Sequence, residues 1–241
     1  MAVTKNRIEK NLHRIRENIA AACKRADRHP DEVAVVAVTK TVGLEEIKAV
    51  VDAGITELGE SRVQQLIERA AELTACLQRR RTPPVDVRWH MIGHLQRNKV
   101  KTVLEAVQVI HSVDSLRLAE EINIRAERAE RVVDVLLQIN CSEESQKFGC
   151  AVGAASHLAE LICTLKNLRL IGLMTMAPLA KHSEDARPTF VRLRELFEEM
   201  RKEKIGGEDF RHLSMGMTED YAVAVEEGAT ILRIGTALFQ P

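Results

Sequence analysis

Eight short apolar runs, separated by longer stretches of helical period, restrict this chain to a small set of folds. The runs are Val33–Val38, Ile55–Gly59, Val87–Ile92, Val109–Val113, Val132–Ile139, Leu168–Met174, Phe210–Met215 and Thr230–Ile234. Between them the sequence predicts helices at 44–53, 61–79, 95–106, 115–130, 151–166, 184–204 and 218–227, the last from the pattern of Ala222, Val223 and Val225. Strands alternating with helices imply parallel pairing through right-handed crossovers, and eight such units in about 250 residues is the arithmetic of a TIM (β/α)8 barrel. A doubly wound open sheet is the competing architecture. Its Gly-rich turn is missing after the first run, where Thr39-Lys40-Thr41-Val42-Gly43 stands instead.

Residues Met1–Arg28 precede the first run and carry Ile8, Leu12, Ile15 and Ile19 at helical spacing, with Glu9 and Glu17 among them. This reads as an amphipathic helix packed on the barrel, since a signal peptide would need an unbroken apolar segment. The most loop-like stretch is Arg79–Asp86, and no linker or sequence repeat divides the chain. The expectation is a single α/β domain over residues 1–241, with residues 1–28 as its extra N-terminal helix.

Composition narrows the partners. Lysine plus arginine and aspartate plus glutamate number 35 each, so no net field draws the protein to nucleic acid or to an acidic membrane. Aromatic residues are only 3%, which argues against base-stacking platforms, and no apolar run approaches the ~20 residues of a membrane span. Five scattered cysteines, Cys23, Cys76, Cys141, Cys150 and Cys163, include no C-x-x-C pair and favour a reducing, cytoplasmic home.

In such barrels chemistry sits where the strands end. The first run, Val33–Lys40 (VAVVAVTK), delivers an amine there. A strand-end lysine shielded from water can attack a carbonyl carbon and form a Schiff base; the alternative is a lysine that caps the strand and faces solvent. The later ends carry Glu60-Ser61, His90 with Gly93-His94, Asp114, Asn140, Met174-Thr175, Ser214 with Gly216, and Arg233 with Gly235-Thr236. Hydroxyls, glycines and a guanidinium at the last two ends compose a phosphate cradle. The alternative there is that Ser214 and Thr218 cap the following helix while Arg233 pairs with a carboxylate across the barrel. A phosphate site facing a strand-end lysine points to a phosphorylated carbonyl substrate or to pyridoxal 5'-phosphate.

At these residues the chain resembles the pyridoxal phosphate homeostasis protein family, itself similar to the amino-terminal barrel of the alanine racemases. The matching segments are AVTK at Ala37–Lys40, LGESRVQQ at Leu58–Gln65, WHMIGHLQRNK at Trp89–Lys99, HSVDS at His111–Ser115, N-x-S-x-E-x-x-K-x-G over Asn140–Gly149, GLMTMAP at Gly172–Pro178, SMGMTEDY at Ser214–Tyr221 and RIGTALF at Arg233–Phe239. The resemblance implies a fold-type III cofactor-binding barrel. It implies Lys40 as the cofactor lysine, Ser214, Arg233, Gly235 and Thr236 as phosphate contacts, and Met174 packed near the ring. Ser61 stands where the family usually has asparagine, which shortens or removes a cofactor contact; with Gln64 it also reads as a helix capping box. Gln240 replaces the family's terminal glycine.

His90 and His94 have a metal-compatible spacing only if the segment is helical, and Gly93 interrupts it, so no metal is expected. His90 reads either as a residue near the cofactor or as a satisfied core histidine. Lys147, between Cys141 and Cys150, reads as a second amine or as a solvated loop residue. Racemisation needs a proton donor on each face of the intermediate. The resemblance implies that in the racemases the second donor comes from the partner subunit's carboxy-terminal domain, which is not expected here, and Tyr221 reads as a helix residue. The expected protein binds pyridoxal 5'-phosphate reversibly on Lys40 and buffers it or delivers it to apo-enzymes, as a monomer or weak dimer with no catalytic residues assigned. The alternatives are an amino-acid racemase or decarboxylase using the same cofactor, and a cofactor-free Schiff-base aldolase.

Overall fold

A computed structural model describes residues 4–79, 85–142, 148–178 and 182–240. Five of the eight expected loop residues of the 79–86 stretch, 80–84, and Lys147 with residues 143–146 lie outside the described residues.

The eight apolar runs form eight parallel strands: β1 (Ala34–Val38), β2 (Glu57–Glu60), β3 (Arg88–Met91), β4 (Val109–Val113), β5 (Val133–Asn140), β7 (Leu168–Met174), β8 (His212–Ser214) and β9 (Ile231–Ile234). A ninth, β6 (Cys150–Ala151), escapes a periodicity reading because it has two residues; it lies alongside the end of β5, with Ile139 opposite Cys150. Pairing runs β4-β3-β2-β1-β9-β8-β7-β5, and β4 also pairs with β5, which closes the barrel. The first and last strands meet with Ala34 opposite Ile231 and Ala37 opposite Ile234. An open sheet is thereby ruled out.

The outer layer consists of α1 (Lys5–Arg25), α2 (Leu44–Asp52), α3 (Val63–Gln78), α4 (Val100–Val103), α5 (Leu116–Arg128), α6 (Ala155–Cys163), α7 (Arg187–Lys202), α8 (Tyr221–Glu226) and α9 (Thr236–Phe239). The stretch expected as helix 95–106 is mostly a 3-10 turn, Arg97–Lys99, leading into the one-turn α4. The N-terminal helix forms as its spacing predicts: Ile8, Leu12, Ile15 and Ile19 are all buried. Each such side chain contributes on the order of 2 kcal/mol of gross burial energy. Asn11 lies on the same face and fixes the helix in register by donating from Nδ2 to the carbonyls of Leu238 at 3.1 Å and Gln240 at 3.0 Å. The helix therefore packs on both α8 and α9, beside the seam where β1 meets β9.

Two cores result. A large one fills the space between strands and helices, and a small one of Val109, Leu136, Ile171 and Met174 lies within the barrel. Much of the remaining interior is polar, although Val36 and Ile231 also line it. Glu57, His90, His111, Asp134, Gln138, Ser214 and Arg233 all sit on strands and are buried or nearly so. Such groups persist in a core only when they satisfy one another.

Candidate cofactor site

Lys40 lies two residues beyond the end of β1, and its side chain is exposed at the carboxyl end of the strand. It makes no hydrogen bond or ion pair among the described residues, an exposure that fits a solvent-facing strand cap as well as an amine open to a carbonyl. The backbone on either side is held firmly. Before it, the buried Thr39 hydroxyl lies 3.1 Å from Glu60 Oε2 and 3.3 Å from the Gly59 carbonyl. After it, Arg69 donates from Nη2 to the Val42 carbonyl at 2.9 Å and from Nη1 to Glu60. Glu60, fully buried at the end of β2, joins these two supports into a clamp around the lysine.

Ser61 is half-buried beside that clamp. The capping-box reading is overturned: α3 begins at Val63 behind Arg62 with no side-chain cap, and Gln64 donates to Glu68 at 2.8 Å. Ser61 is instead positioned by its own N–H, which donates to Glu60 Oε1 at 2.7 Å. A Cβ on Gly93 would lie 2.3 Å from the Ser61 carbonyl, so only glycine lets the loop after β3 press on the loop after β2.

Gly235 and Thr236 follow β9, the strand next to β1, and an added Cβ on Gly235 would sit 3.4 Å from that of Val38. The Thr236 side chain is exposed, and neither residue's amide N–H has a partner among the described residues. The neighbouring loop after β8 is tied to this turn, because the Thr218 hydroxyl accepts from the Ala237 N–H at 3.1 Å. Gly216 permits that loop's course with φ +93°; a Cβ there would lie 2.5 Å from the Cβ of Ala224. Neither Ser214 nor Thr218 caps α8, so that alternative is overturned as well.

Arg233 makes no ion pair with a carboxylate among the described residues. It donates from Nη1 to Ser214 Oγ at 2.7 Å and from Nη2 to the Thr175 carbonyl at 2.9 Å. Burial pushes its guanidinium down to about 10, with the Asp220 charge opposing, and it stays cationic near neutrality. Ser214 is fully buried against Arg233 and His111. Met174 belongs to the small core inside the barrel and is fully buried. Lys40, Gly235 and Thr236 thus present free groups at adjacent strand ends, whereas Ser214, Arg233 and Met174 form the floor beneath them.

His90 corrects the sequence assignment to a strand terminus. It lies within β3 and points toward the amino end of the barrel, where Nε2 meets Glu57 Oε2. His94 stacks on Phe148 with ring centroids 3.9 Å apart, and no group of three metal-binding side chains exists among the described residues. The Tyr221 hydroxyl accepts from Asn18 at 2.7 Å under α1, in keeping with a helix residue. All five cysteines are unpaired, and burial pushes the Cys141 thiol up to about 11. The residues that sequence reasoning missed are Thr39, Arg69 and His111; Glu60 was read at its strand end but given no role, and Thr39 stands next to Lys40.

The family model described as "Alanine racemase, N-terminal domain" matches residues 11–241. A pyridoxal phosphate homeostasis protein of Aquifex aeolicus is 40% identical over 228 residues, covering 95% of each chain. A crystal structure from Bifidobacterium adolescentis, of a protein described as unknown, superposes with a TM-score of 0.90 at 38% identity, covering 98% of this chain and 95% of that one. PipY of Synechococcus elongatus, solved with pyridoxal phosphate bound, superposes with a TM-score of 0.81 at 31% identity, covering 96% and 99%. With a full-length match to these relatives and a closed barrel of the same architecture, the chain belongs to the pyridoxal phosphate homeostasis protein family.

Proposed function

We propose that this protein binds pyridoxal 5'-phosphate through a reversible Schiff base on Lys40 and serves intracellular homeostasis of the cofactor, holding it and releasing it to apo-enzymes that need it. The observation that carries the proposal is the clamped backbone around an unpaired, exposed Lys40, one strand away from the free amides of Gly235 and Thr236. The cofactor supplies an aldehyde that condenses with an amine and a phosphate that needs several donors. Lys40 would take the first, and Gly235, Thr236 and the Thr236 hydroxyl the second. Arg233 and Ser214, beneath, would supply positive potential and a hydroxyl, with Met174 as the apolar floor. Ser61 would contribute at most a short contact, since its amide is already engaged by Glu60. Exposure of the lysine favours exchange with solvent over a sealed reaction.

Borohydride reduction of the loaded protein, followed by peptide mapping, should place the adduct on Lys40, and Lys40→Ala should abolish it. Loaded protein mixed with an apo-enzyme should restore that enzyme's activity. A purified protein that neither carries nor takes up pyridoxal 5'-phosphate would sink the proposal. Racemisation of an amino acid that vanishes with Lys40→Ala would replace it by the enzyme reading.

A further inference from the structure

A continuous file of polar side chains runs through the barrel from its amino-terminal mouth to Arg233. Ser214 Oγ accepts from Arg233 Nη1 at 2.7 Å and lies 2.9 Å from His111 Nδ1; His111 Nε2 lies 2.8 Å from His90 Nδ1, and His90 Nε2 meets Glu57. Glu57 opens β2 and lines a cavity of about 220 Å³ at that mouth. The ends of the file determine its direction. Arg233 can only donate, and the Glu57 carboxylate can only accept. With His90 neutral, its hydrogen must sit on Nε2 toward Glu57, which leaves Nδ1 bare to accept from His111 Nε2–H. Burial, reinforced by the Arg233 charge, holds His111 well below 6.5, so it is neutral and its Nδ1 accepts the Ser214 hydroxyl hydrogen. Every hydrogen bond then points toward Glu57.

A second proton on His90 reverses the file. His90 Nδ1–H now donates to His111 Nε2, the His111 hydrogen moves to Nδ1 and donates to Ser214 Oγ, and the Ser214 hydroxyl hydrogen is free to turn elsewhere. One proton enters from solvent in total, and no bond between heavy atoms breaks. The charged and titratable groups around His90 are Glu57 on β2, Arg88 on β3, His111 on β4, Asp134 on β5, Arg169 on β7 and His212 on β8, with Asp209 and Arg211 just before β8. Arg88 and Arg169 are committed to carboxylates, at 3.3 Å and 2.6 Å from Asp134.

We propose that Glu57, His90 and His111 are positioning residues that set the orientation of the Ser214 hydroxyl, so that protonation at the amino-terminal mouth decides whether Ser214 can donate to the bound cofactor. The proposal rests on the cofactor reading above. Histidine-selective ¹⁵N NMR of the unloaded full-length protein tests the file without the cofactor. At about pH 8, His111 should be the Nε2–H tautomer, converting to Nδ1–H as acidification reverses the file, and Glu57→Gln should remove the preference. In the loaded protein, Glu57→Gln should move the pH midpoint of the cofactor's visible band by about one unit. His111→Phe should weaken equilibrium uptake about tenfold, with His111→Gln recovering part of it. An Nδ1–H tautomer of His111 at high pH overturns the proposal whether or not any variant folds. The expected tautomer combined with an unmoved band in Glu57→Gln overturns it while leaving the functional reading intact. Failure of the wild type to take up cofactor overturns that reading and the cofactor end of this one, and the NMR result still decides the file.

Discussion

Replacing Glu60 with alanine is the sharpest test of how Lys40 is held. Its carboxylate is fully buried and serves three donors at once: the Arg69 guanidinium, the Ser61 N–H at 2.7 Å and the Thr39 hydroxyl at 3.1 Å. Alanine would leave a guanidinium only 15% exposed without its counter-charge and the Ser61 N–H without its acceptor, while the Thr39 hydroxyl keeps only the Gly59 carbonyl. Breaking a buried pair by deleting one partner costs about 3–5 kcal/mol, so a loss of about 4 kcal/mol is expected. For a chain of this length that corresponds to a melting temperature lower by roughly 12 °C. Because Arg69 also holds the Val42 carbonyl, the change frees the backbone on both sides of Lys40, and uptake of pyridoxal 5'-phosphate should slow as well. Urea denaturation of the wild type, Glu60→Ala, Arg69→Ala and the double variant gives the coupling directly. A favourable interaction of at least about 1 kcal/mol is expected. Additive losses, or a loss below about 1 kcal/mol for Glu60→Ala, would refute the clamp.

Three further outcomes follow from the same structure. Gly216→Ala should cost about 3 kcal/mol in a urea titration, because φ is +93° and the new methyl meets Ala224 at 2.5 Å. Asn11→Ala should cost about 2 kcal/mol, about 1 for each carbonyl it serves, and calorimetry should show it without any change in cofactor uptake. Burial lowers both His111 and His212 from 6.5, so below that pH the unfolded chain takes up protons that the native one refuses. Stability is therefore full above about pH 6.5 and falls as pH drops, by up to about 1.4 kcal/mol per unit for each histidine. Denaturation midpoints measured between about pH 7 and pH 5 should show this, and His111→Gln should reduce the slope by about half.

Sequence reading reached the barrel because its evidence is local and repeated. A buried parallel strand needs a short apolar run, a crossover needs a helix, and this chain states the strand eight times and the helix after it seven. Elements of a single helical turn or of two strand residues, such as α9 and β6, carry too few residues for any period to register. Strand termini were legible for the same reason: a polar residue after an apolar run stands out, which is how Lys40, Ser214 and Thr236 were found. The interior was not legible. Inward and outward positions of a strand buried on both faces look alike in sequence, so nothing marks His111 as facing Ser214, 103 residues away, or His90 as facing Glu57. Arg233 shows what that costs an inference. The sequence reads it as part of a phosphate cradle at a strand end, with a carboxylate partner across the barrel as the alternative, whereas the residue lies within β9. The barrel instead surrounds it with the Ser214 hydroxyl and the Thr175 carbonyl and sets the nearest counter-charge, Asp220, outside hydrogen-bonding reach. A guanidinium kept short of a full counter-ion retains attraction for an anion arriving from above, and a carboxylate salt bridge would have quenched it. The missing carboxylate is thus what a site for a phosphorylated cofactor requires of its floor.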